Sequence, residues 1–530
     1  MKQAAAESAA VKIDSGTGRL WPLAAIGILL LYNAATLGRV PAFPNDDDGC
    51  YASAAYQFWN TGRPGVPGYQ DAAGLGADVW AFGRTAAAFQ GLFLHFGGVS
   101  LLHALLPSFL AGLGVLTVTA ALAAVLWDRQ TAVLAPLLLA ASGKFFDACR
   151  WARPDMLLAL FFLLSLWLAA SARPGKPYVK LAAAGLAMGL SGDVHLNGFL
   201  IAFIPFLFWL FLRREPARVR WLGGAIFSAG VAAGVLFWLR LHYWPNPQAM
   251  LHQAAVYGGK THGLRIADLG LAAAFKMEIQ RYTDWFWDAR GHRHALEGLC
   301  ILAAGVWLWL REGRTGRALV AAWSAFFAVA LLFMSNRFGW YLILPWPLFA
   351  IWMARLFQAF PARRIARGAL ALLLAACALN LGLWHWKARQ DVPFSSRLAE
   401  LRRVIPGDDP VLGNDVFWFA FWDKDFTSSE YLYLRRLEAE NGRGPDASGW
   451  IAAQQRRKWR YIVASGELRL FLDPDFPLPL AVASRAGRED EIRQARAFSL
   501  ERCSVVRRFA GVADTILVLR VNENNPDVAR

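Results

Sequence analysis

The chain has 530 residues, of which 56% are hydrophobic and 18% are charged, and it contains 24 tryptophans and 36 phenylalanines. Soluble globular proteins carry about 25% charged residues, so this composition rules out a disordered chain and argues against a wholly soluble enzyme. The 55 lysines and arginines exceed the 39 aspartates and glutamates, which gives a net charge of +16. In a membrane protein, basic cytoplasmic loops explain such an excess without nucleic acid as a partner.

Long apolar runs dominate the chain up to residue 387. A helix needs about 20 mainly apolar residues to cross a membrane, and about eleven runs meet or approach that length. In chain order they are 20–38, 99–127, 131–142, 155–172, 179–191, 198–212, 221–240, 295–310, 318–335, 339–358 and 368–386. The runs 131–142 and 179–191 are short, so the count stays open by one or two. We expect an α-helical polytopic membrane protein.

The positive charges orient these spans. With the N-terminus in the cytoplasm, every inner connection contains lysine or arginine, as the positive-inside rule requires. An odd number of spans then places the C-terminal stretch outside. The outer connections are 39–98, 143–154, 192–197, 241–294 and 335–339. We expect all of them to converge on one face of the membrane.

The composition changes near residue 388. Residues 388–530 are richer in charge and contain no further run of spanning length. An amphipathic helix is predicted at 396–404. Short runs rich in valine, isoleucine and leucine predict strands, at 410–413, 459–464, 503–509 and 514–521. The sequence therefore predicts two domains, a membrane domain over 1–387 and a soluble extracytoplasmic α/β domain over 388–530.

An acidic cluster directly follows the first span. Asp46, Asp47 and Asp48 are adjacent, and because like charges repel, at least one of them needs a cation, a donor or a proton. A solvated turn is one explanation. The other is a functional carboxylate at the membrane surface, which can take a proton from a hydroxyl or bind a divalent metal. Whether Asp47 and Asp48 bind a metal stays open, and no cofactor is otherwise indicated.

Basic residues in the outer loops run against the positive-inside trend. Lys144, Arg150 and Arg153 share the second outer loop. They either reach outward to lipid phosphates or form a cradle for a phosphate or pyrophosphate. Asp155 begins the next helix or pairs with one of these arginines. The other outer loops add Arg84, His195, Arg337 and Tyr341.

These groups together describe group transfer from a lipid carrier with an anionic headgroup. Apolar spans can hold the lipid tail, basic side chains its phosphate, and a carboxylate can activate an acceptor. The sequence has no P-loop, no HExxH and no GxSxG motif that would favour a different chemistry. The alternative is a polytopic lipid or solute transporter or flippase, which would place ionisable groups near mid-membrane, often within inverted repeats.

Four motifs resemble a known family. Asp47-Asp48-Gly49-Cys50-Tyr51 is similar to its Asp-Glu-x-x-Tyr, and Arg153-Pro154-Asp155 is similar to the Arg-Pro-Asp that opens a span. His195-Leu196-Asn197-Gly198 matches a short outer loop, and Arg337 with Tyr341 and Leu344-Pro345 matches a late motif. This order resembles the GT-C membrane glycosyltransferases, in the bacterial, glycosyltransferase family 39-like branch related to protein O-mannosyltransferases and the lipid A aminoarabinose transferase.

The chain also departs from the family pattern. The acidic pair is Asp-Asp rather than Asp-Glu, and Arg84-Thr85-Ala86 stands where the family has Lys-Pro-Pro. His195 occupies a position where many relatives have lysine. These differences leave the donor sugar and the metal requirement open.

The resemblance implies a GT-C-like fold and an inverting glycosyltransferase. Such an enzyme moves a sugar from a polyprenyl-phosphate carrier, such as undecaprenyl phosphate, to a hydroxyl of a lipid, glycan or protein. It would lie in the bacterial inner membrane with its site and C-terminal domain in the periplasm. Asp47 would be the catalytic base, and Asp48 would orient groups or bind a metal. The implied phosphate ligands are Arg84, Lys144, Arg150, Arg153 and Arg337, and the implied substrate contacts are Tyr51, Asp155, His195 and Tyr341.

Overall fold

The structure is a computed structural model, and it describes residues 21–37, 44–260, 270–286, 294–333, 339–440, 453, 457–473, 488–510 and 515–522. Helices make up most of it. Up to residue 260 they are α1 (Trp21–Thr36), α2 (Asp46–Thr61), α3 (Arg84–Gly97), α4 (Leu101–Leu126), α5 (Arg129–Ala141), α6 (Gly143–Ala148), α7 (Asp155–Ala170), α8 (Tyr178–Val194), α9 (Asn197–Leu200), α10 (Ile204–Leu212), α11 (Ala217–Trp238) and α12 (Pro247–Lys260).

The remaining helices lead into the C-terminal part. They are α13 (Leu271–Phe286), α14 (Ala295–Arg311), α15 (Gly313–Phe333), α16 (Trp346–Ala359), α17 (Arg363–Arg389), α18 (Phe394–Val404), α19 (Trp418–Phe421), α20 (Glu430–Glu440), α21 (Gly466–Leu472) and α22 (Arg488–Arg502). The predicted helix at 396–404 is confirmed as α18.

Each predicted apolar run contains helix, but the helices differ in length. Within the described residues, four stretches are long and apolar enough to cross a membrane by length and composition: Leu101–Leu126, Ala217–Tyr243, Gly313–Phe333 and one within Arg363–Val404. The count of eleven spans is therefore not confirmed. Prolines shorten two of the runs, because proline favours the first turn of a helix over its interior. Pro205 begins α10 after a break, and Pro347 lies at the start of α16.

The apolar helices pack into one large hydrophobic core. Its buried residues come mainly from α4, α5, α7, α8, α10, α14, α15 and α16, and include large side chains such as Phe162, Phe208, Phe326 and Trp346. Many leucines and phenylalanines on the outer surface of the same helices stay exposed. Helices that are apolar on the buried and the exposed side are typical of a bundle surrounded by lipid. The chain is thus a multi-pass membrane protein.

A five-stranded sheet forms the C-terminal part. Its strands are β1 (Val411–Gly413), β2 (Phe426–Ser428), β3 (Tyr461–Ala464), β4 (Cys503–Phe509) and β5 (Ile516–Val521), in the order β2-β1-β3-β5-β4. β1 is parallel to β2 and β3, while β5 is antiparallel to β3 and β4. The four predicted strands are confirmed, and β2 was missed because its residues Phe426-Thr427-Ser428 contain no valine, isoleucine or leucine.

The sheet part packs directly on the first outer loop. Tyr69 and Leu75 of that loop share a hydrophobic core with Leu412 and Tyr431. A Cβ atom at Gly49, in the first turn of α2, would lie 1.9 Å from the Asp415 carbonyl oxygen, so the backbones touch. The two predicted domains therefore share hydrophobic cores.

Candidate active site

The start of α2 carries the acidic cluster in a defined arrangement. The Asn45 side chain accepts a hydrogen bond from the Asp47 amide, and the Asp48 carboxylate accepts one from the Asn45 amide at 3.1 Å. Together these contacts form a capping box at the helix N-terminus. The positive end of the helix dipole also stabilises carboxylates in this turn. Local helix chemistry thus fixes the direction of each aspartate.

Asp48 is fully buried and joins two outer loops. Its Oδ1 accepts a hydrogen bond from the Ala152 amide at 2.6 Å, while its Oδ2 is taken by the Asn45 amide. Burial raises the pKa of Asp48 to about 7, although both backbone hydrogen bonds act in the opposite direction. Asp48 is placed to hold α2 against the loop that precedes α7, because backbone amides occupy both of its carboxylate oxygens.

Asp47 points the other way, toward Arg153. Its side chain is 46% exposed, and the buried Arg153 guanidinium pairs with it through Nη1. Arg153 Nε also donates to Asp155 Oδ2 at 2.8 Å, so one arginine lies between two carboxylates. Burial alone would lower the pKa of Arg153, but the neighbouring Asp155, Tyr51 and Asp47 raise it well above its ordinary value. Arg153 is a permanent positive charge in a buried position.

One carboxylate oxygen of Asp155 is available to accept a hydrogen bond. Its Oδ1 is buried and finds no hydrogen-bond partner among the residues that the structure describes. Leaving a buried acceptor without a donor costs about 1–3 kcal/mol of folding free energy. A substrate hydroxyl or ammonium group would satisfy it.

Two buried tyrosines lie beside the arginine. The Arg153 guanidinium lies 5.6 Å from the Tyr51 ring centroid, and the Tyr51 ring in turn lies 4.5 Å from that of Phe82. Burial raises the pKa of Tyr51 well above its ordinary value, so its phenol stays protonated at neutral pH and can donate a hydrogen bond. Tyr341 is the second buried tyrosine.

His195 lies next to Tyr341 at the end of α8. The two rings are 5.7 Å apart, and the Nδ1 atom of His195 accepts a hydrogen bond from the Asn197 amide at 3.1 Å. Burial lowers the pKa of His195. The imidazole is therefore neutral at pH 7, and because Nδ1 is an acceptor, Nε2 carries the proton. His195 offers a neutral donor where a lysine would offer a charge.

A small, mainly apolar groove with a cavity volume of about 30 Å³ lies beside this cluster. Arg153 lies in its wall, and the remaining lining is mainly apolar and comes from α2, α3, α4 and α7. The principal lining residues are Tyr51, Phe82, Ala86, Phe89, Pro107 and Leu157. The groove combines one charged side chain in its wall with a mainly apolar lining.

Arg84 is at the edge of the same groove. It opens α3 beside the groove-lining Gly83, and its Nη2 lies 3.7 Å from Asp78 Oδ2. The Arg84 Nε atom is buried and without a hydrogen-bond partner in the described part of the chain. Arg84 itself does not line the groove, whereas its chain neighbours Phe82 and Gly83 line it together with Tyr51 and Arg153.

Two predicted phosphate ligands lie elsewhere. Arg150 is fully buried against the end of α1, where its guanidinium donates to the Asn33 carbonyl at 2.8 Å and to the Thr36 hydroxyl. Lys144 lies 4.6 Å from the Trp285 ring centroid, in a separate cavity with Asp147 and His294. The structure does not bring either of them into the groove.

Arg337 lies outside the described residues. The outer segments 39–43, 261–269 and 287–293 also fall there, so the predicted outer loops 39–98 and 241–294 are described only in part.

The described residues do not fit a resident metal. They contain no group of three or more histidines, cysteines, aspartates or glutamates that could hold one ion. Both Asp48 oxygens accept backbone hydrogen bonds, and Asp47 is paired with Arg153. Hard cations prefer several free carboxylate oxygens, so no chemical step is assigned to a metal here.

Sequence reasoning missed two buried polar residues near the groove. Asp193 and His242 form a contact of 2.7 Å between α8 and the turn after α11. The signal was available, because an aspartate at the end of an apolar helix needs a partner. Its partner lies 49 positions away, and the sequence does not identify it.

Neither a protein-family model nor a curated protein sequence matches the chain. Several solved structures do match the chain. ArnT from Cupriavidus metallidurans bound to undecaprenyl phosphate matches with a TM-score of 0.64 over 95% of this chain and 98% of that one, at 13% identity. Its apo state matches with a TM-score of 0.60, also at 13% identity and with the same coverage.

The archaeal oligosaccharyltransferase AglB from Archaeoglobus fulgidus, in complex with an inhibitory peptide and a dolichol-phosphate, matches at 14% identity. Its TM-score is 0.50, over 84% of this chain and 69% of that chain. The chain has the GT-C fold. The resemblance drawn from the four motifs is thereby confirmed at the level of the fold. In this GT-C chain the predicted outer loops bring Asp47, Arg153 and Asp155 together, and Arg153 also lines the groove.

Proposed function

We propose that this protein is an inverting glycosyltransferase that moves a sugar from a polyprenyl phosphate to an acceptor hydroxyl. The observation that carries the proposal is the placement of Arg153, a buried cation between Asp47 and Asp155 at the head of an apolar groove. The GT-C fold supports it, because the neighbouring structures contain undecaprenyl phosphate and dolichol-phosphate. The site lies at the outer face of a bacterial inner membrane, with the C-terminal part periplasmic.

The phosphate of the donor binds at Arg153 and Arg84. The polyprenyl tail follows the apolar lining away from these two arginines. Negative charge grows on the phosphate as the bond between the anomeric carbon and the phosphate oxygen breaks. A guanidinium that is already fixed by two carboxylates stabilises this charge without reorganising, which is the general basis of electrostatic catalysis. Arg337 is a further proposed ligand of the same phosphate.

Asp47 is the base in this mechanism. It is the member of the acidic pair that is half exposed, whereas Asp48 is buried in backbone hydrogen bonds. The acceptor hydroxyl gives its proton to Asp47, and its oxygen attacks the anomeric carbon. The polyprenyl phosphate leaves from the opposite side, so a single displacement inverts the configuration.

The sugar lies among Tyr51, Asp155, His195 and Tyr341. Asp155 Oδ1 accepts a hydrogen bond from it, and the two tyrosines and the neutral His195 donate hydrogen bonds. None of these four side chains carries a positive charge, and the cation beside them is Arg153. It favours a sugar that is recognised through hydroxyl groups.

The experiment is a donor panel. Purified protein in nanodiscs is mixed with polyprenyl phosphates that carry different sugars and with a membrane extract as the source of acceptor, and release of free polyprenyl phosphate is followed. The proposal expects release from at least one donor, with inversion at the anomeric carbon. If the protein binds none of the donors and releases no polyprenyl phosphate, the proposal is wrong.

A further inference from the structure

A buried network fastens three outer loops to one another. Asp193, at the end of α8, is fully buried. One of its carboxylate oxygens accepts hydrogen bonds from the Thr85 amide at 2.9 Å and from the Thr85 hydroxyl at 2.5 Å. The other oxygen lies 2.7 Å from Nε2 of His242. Both oxygens are therefore satisfied, which is the condition under which a buried polar network stabilises a structure.

Asp193 acts as the N-cap that α3 lacks. The residue in the N-cap position is Gly83, which has no side chain to accept a hydrogen bond from the first turn. These amides need an acceptor, and an anion also interacts favourably with the helix dipole. A Cβ atom at position 83 would lie 1.3 Å from the Asp193 carbonyl oxygen. Glycine at this position therefore lets α8 approach closely enough to supply the cap.

His242 completes the network from the fourth outer loop. It lies in a single π-turn, Leu239–Tyr243, that continues α11, and such turns occur frequently at functional sites. The side chain is 1% exposed, and its ring stacks on Trp238 at 5.5 Å between centroids. The histidine is held on both its polar and its apolar side, so it fixes the direction of the Asp193 carboxylate.

The first turn of α3 is also part of the proposed donor site. It contains Arg84, and Gly83 and Ala86 form part of the groove wall. Phe82 forms an isolated antiparallel bridge with His195, so the same junction sets the distance between the groove and the sugar-binding histidine. Any shift of this turn would move both groups.

We infer that Asp193 and His242 are positioning residues for donor binding, in that they hold Arg84 and the groove wall in place through the cap on α3. The expected effect on donor binding rests on the proposed function, whereas the cap that Asp193 places on α3 does not. Neither residue lines the groove. Their effect must therefore pass through the first turn of α3.

The test uses the full-length protein in nanodiscs. His242→Phe keeps the aromatic ring on Trp238 but removes the hydrogen bond to Asp193, and His242→Gln restores a donor. His103→Phe is the control, because His103, unlike His242, is partly exposed, and its ring makes a hydrogen bond to the Gly98 carbonyl at 2.7 Å rather than to Asp193. Hydrogen–deuterium exchange of peptides covering 83–90 reports on the cap, and titration with undecaprenyl phosphate reports on the site.

A hydrogen bond to a charged group is worth about 1.5–3 kcal/mol, so its loss predicts at least roughly tenfold effects. We expect His242→Phe to speed exchange in 83–90 by about tenfold and to weaken undecaprenyl phosphate binding by a similar factor. His242→Gln should recover most of both, and His103→Phe should change neither. A Phe variant with unchanged exchange in 83–90, or with exchange raised equally throughout the protein, would overturn the inference.

The inference and the proposed function can fail separately. If exchange rises locally and lipid affinity does not fall, the network is structural only and the positioning role is wrong. If the wild type does not bind undecaprenyl phosphate at all, the proposed function is wrong. The exchange data then still decide whether Asp193 and His242 hold α3.

Discussion

The guanidinium of Arg153 pairs with the carboxylate of Asp47, which lies 106 positions earlier in the chain. Arg153 is nearly fully buried while Asp47 is half exposed, so the pair has one face in the protein and one toward solvent. An ion pair of this kind fixes both partners before a substrate arrives. In the proposed mechanism the cation holds the leaving phosphate and the carboxylate takes the proton of the acceptor hydroxyl.

Replacing Arg153 by lysine tests the phosphate ligand. Lysine keeps the charge, but it loses the planar fork that reaches Asp155 and Asp47 together. We expect Arg153→Lys to weaken undecaprenyl phosphate binding by roughly tenfold or more, which corresponds to the loss of one charge-assisted hydrogen bond. Binding is measured by titration in nanodiscs.

Arg150 is the matched control, three positions away in the same loop. Its guanidinium bonds to Asn33 and Thr36 at the end of the first helix. Arg150→Lys should lower the free energy of unfolding by about 1–3 kcal/mol and leave lipid-phosphate affinity unchanged in the folded fraction. Equal losses of affinity in the Arg150 and Arg153 variants would show that the structure assigns the two arginines wrongly.

The raised pKa of Asp48 predicts that the stability of the protein depends on pH. Its pKa is raised by burial from 3.8 to about 7, so between these values the folded protein binds more protons than the unfolded chain. The contribution of Asp48 to the free energy of unfolding therefore falls as the pH rises from about 4 to about 7. Thermal unfolding of wild type and Asp48→Asn is compared at pH 5 and pH 8. The Tm of the wild type should fall from pH 5 to pH 8, and the Tm of Asp48→Asn should fall by less. If the Tm of both proteins falls equally, the Asp48 carboxyl is not the cause of the pH dependence.

The close contact at Gly49 predicts that a change there disturbs both α2 and the C-terminal sheet part. A Cβ atom there would overlap the Asp415 backbone, which cannot move aside as a flexible side chain would. Gly49→Ala should cost about 1–3 kcal/mol of stability, as overpacking usually does, and should lower turnover because Asp47 lies in the same turn. Gly368→Ala is the control, because that helical glycine has no atom within 4 Å of its Cβ position. A gain of about 0.5–1 kcal/mol is expected there, and a Tm for Gly49→Ala equal to that of the wild type would contradict the close contact.

Much of the fold could be predicted from the sequence because it depends on local signals. Apolar runs locate the helices, and short valine- and isoleucine-rich pieces locate four of the five strands. Long-range packing leaves no such signal. The contact of Gly49 with Asp415 and the cap that Asp193 places on Thr85 join segments far apart in the chain. Neither follows from composition or periodicity.

The site was predictable to a similar extent. The motifs around Asp47, Arg153 and Asp155 identify residues that meet in space, because each lies in the first turn of a helix or directly before it. Charge alone did not separate Arg150 from Arg153. The side-chain direction at the turn before α7 sends one to the first helix and the other to the groove. That difference is a property of the folded backbone.

Turnover by Asp47→Asn tests the central claim most directly. Asp46→Asn is its control, since Asp46 is exposed, precedes Asp47 in the same turn and contacts Asn414 at 3.3 Å. Both variants are assayed for undecaprenyl phosphate binding and for release of polyprenyl phosphate from the donor that the wild type uses. We predict that Asp47→Asn abolishes release while retaining lipid-phosphate binding, and that Asp46→Asn keeps both. Release by Asp47→Asn at the wild-type rate would contradict the assignment of Asp47 as the base.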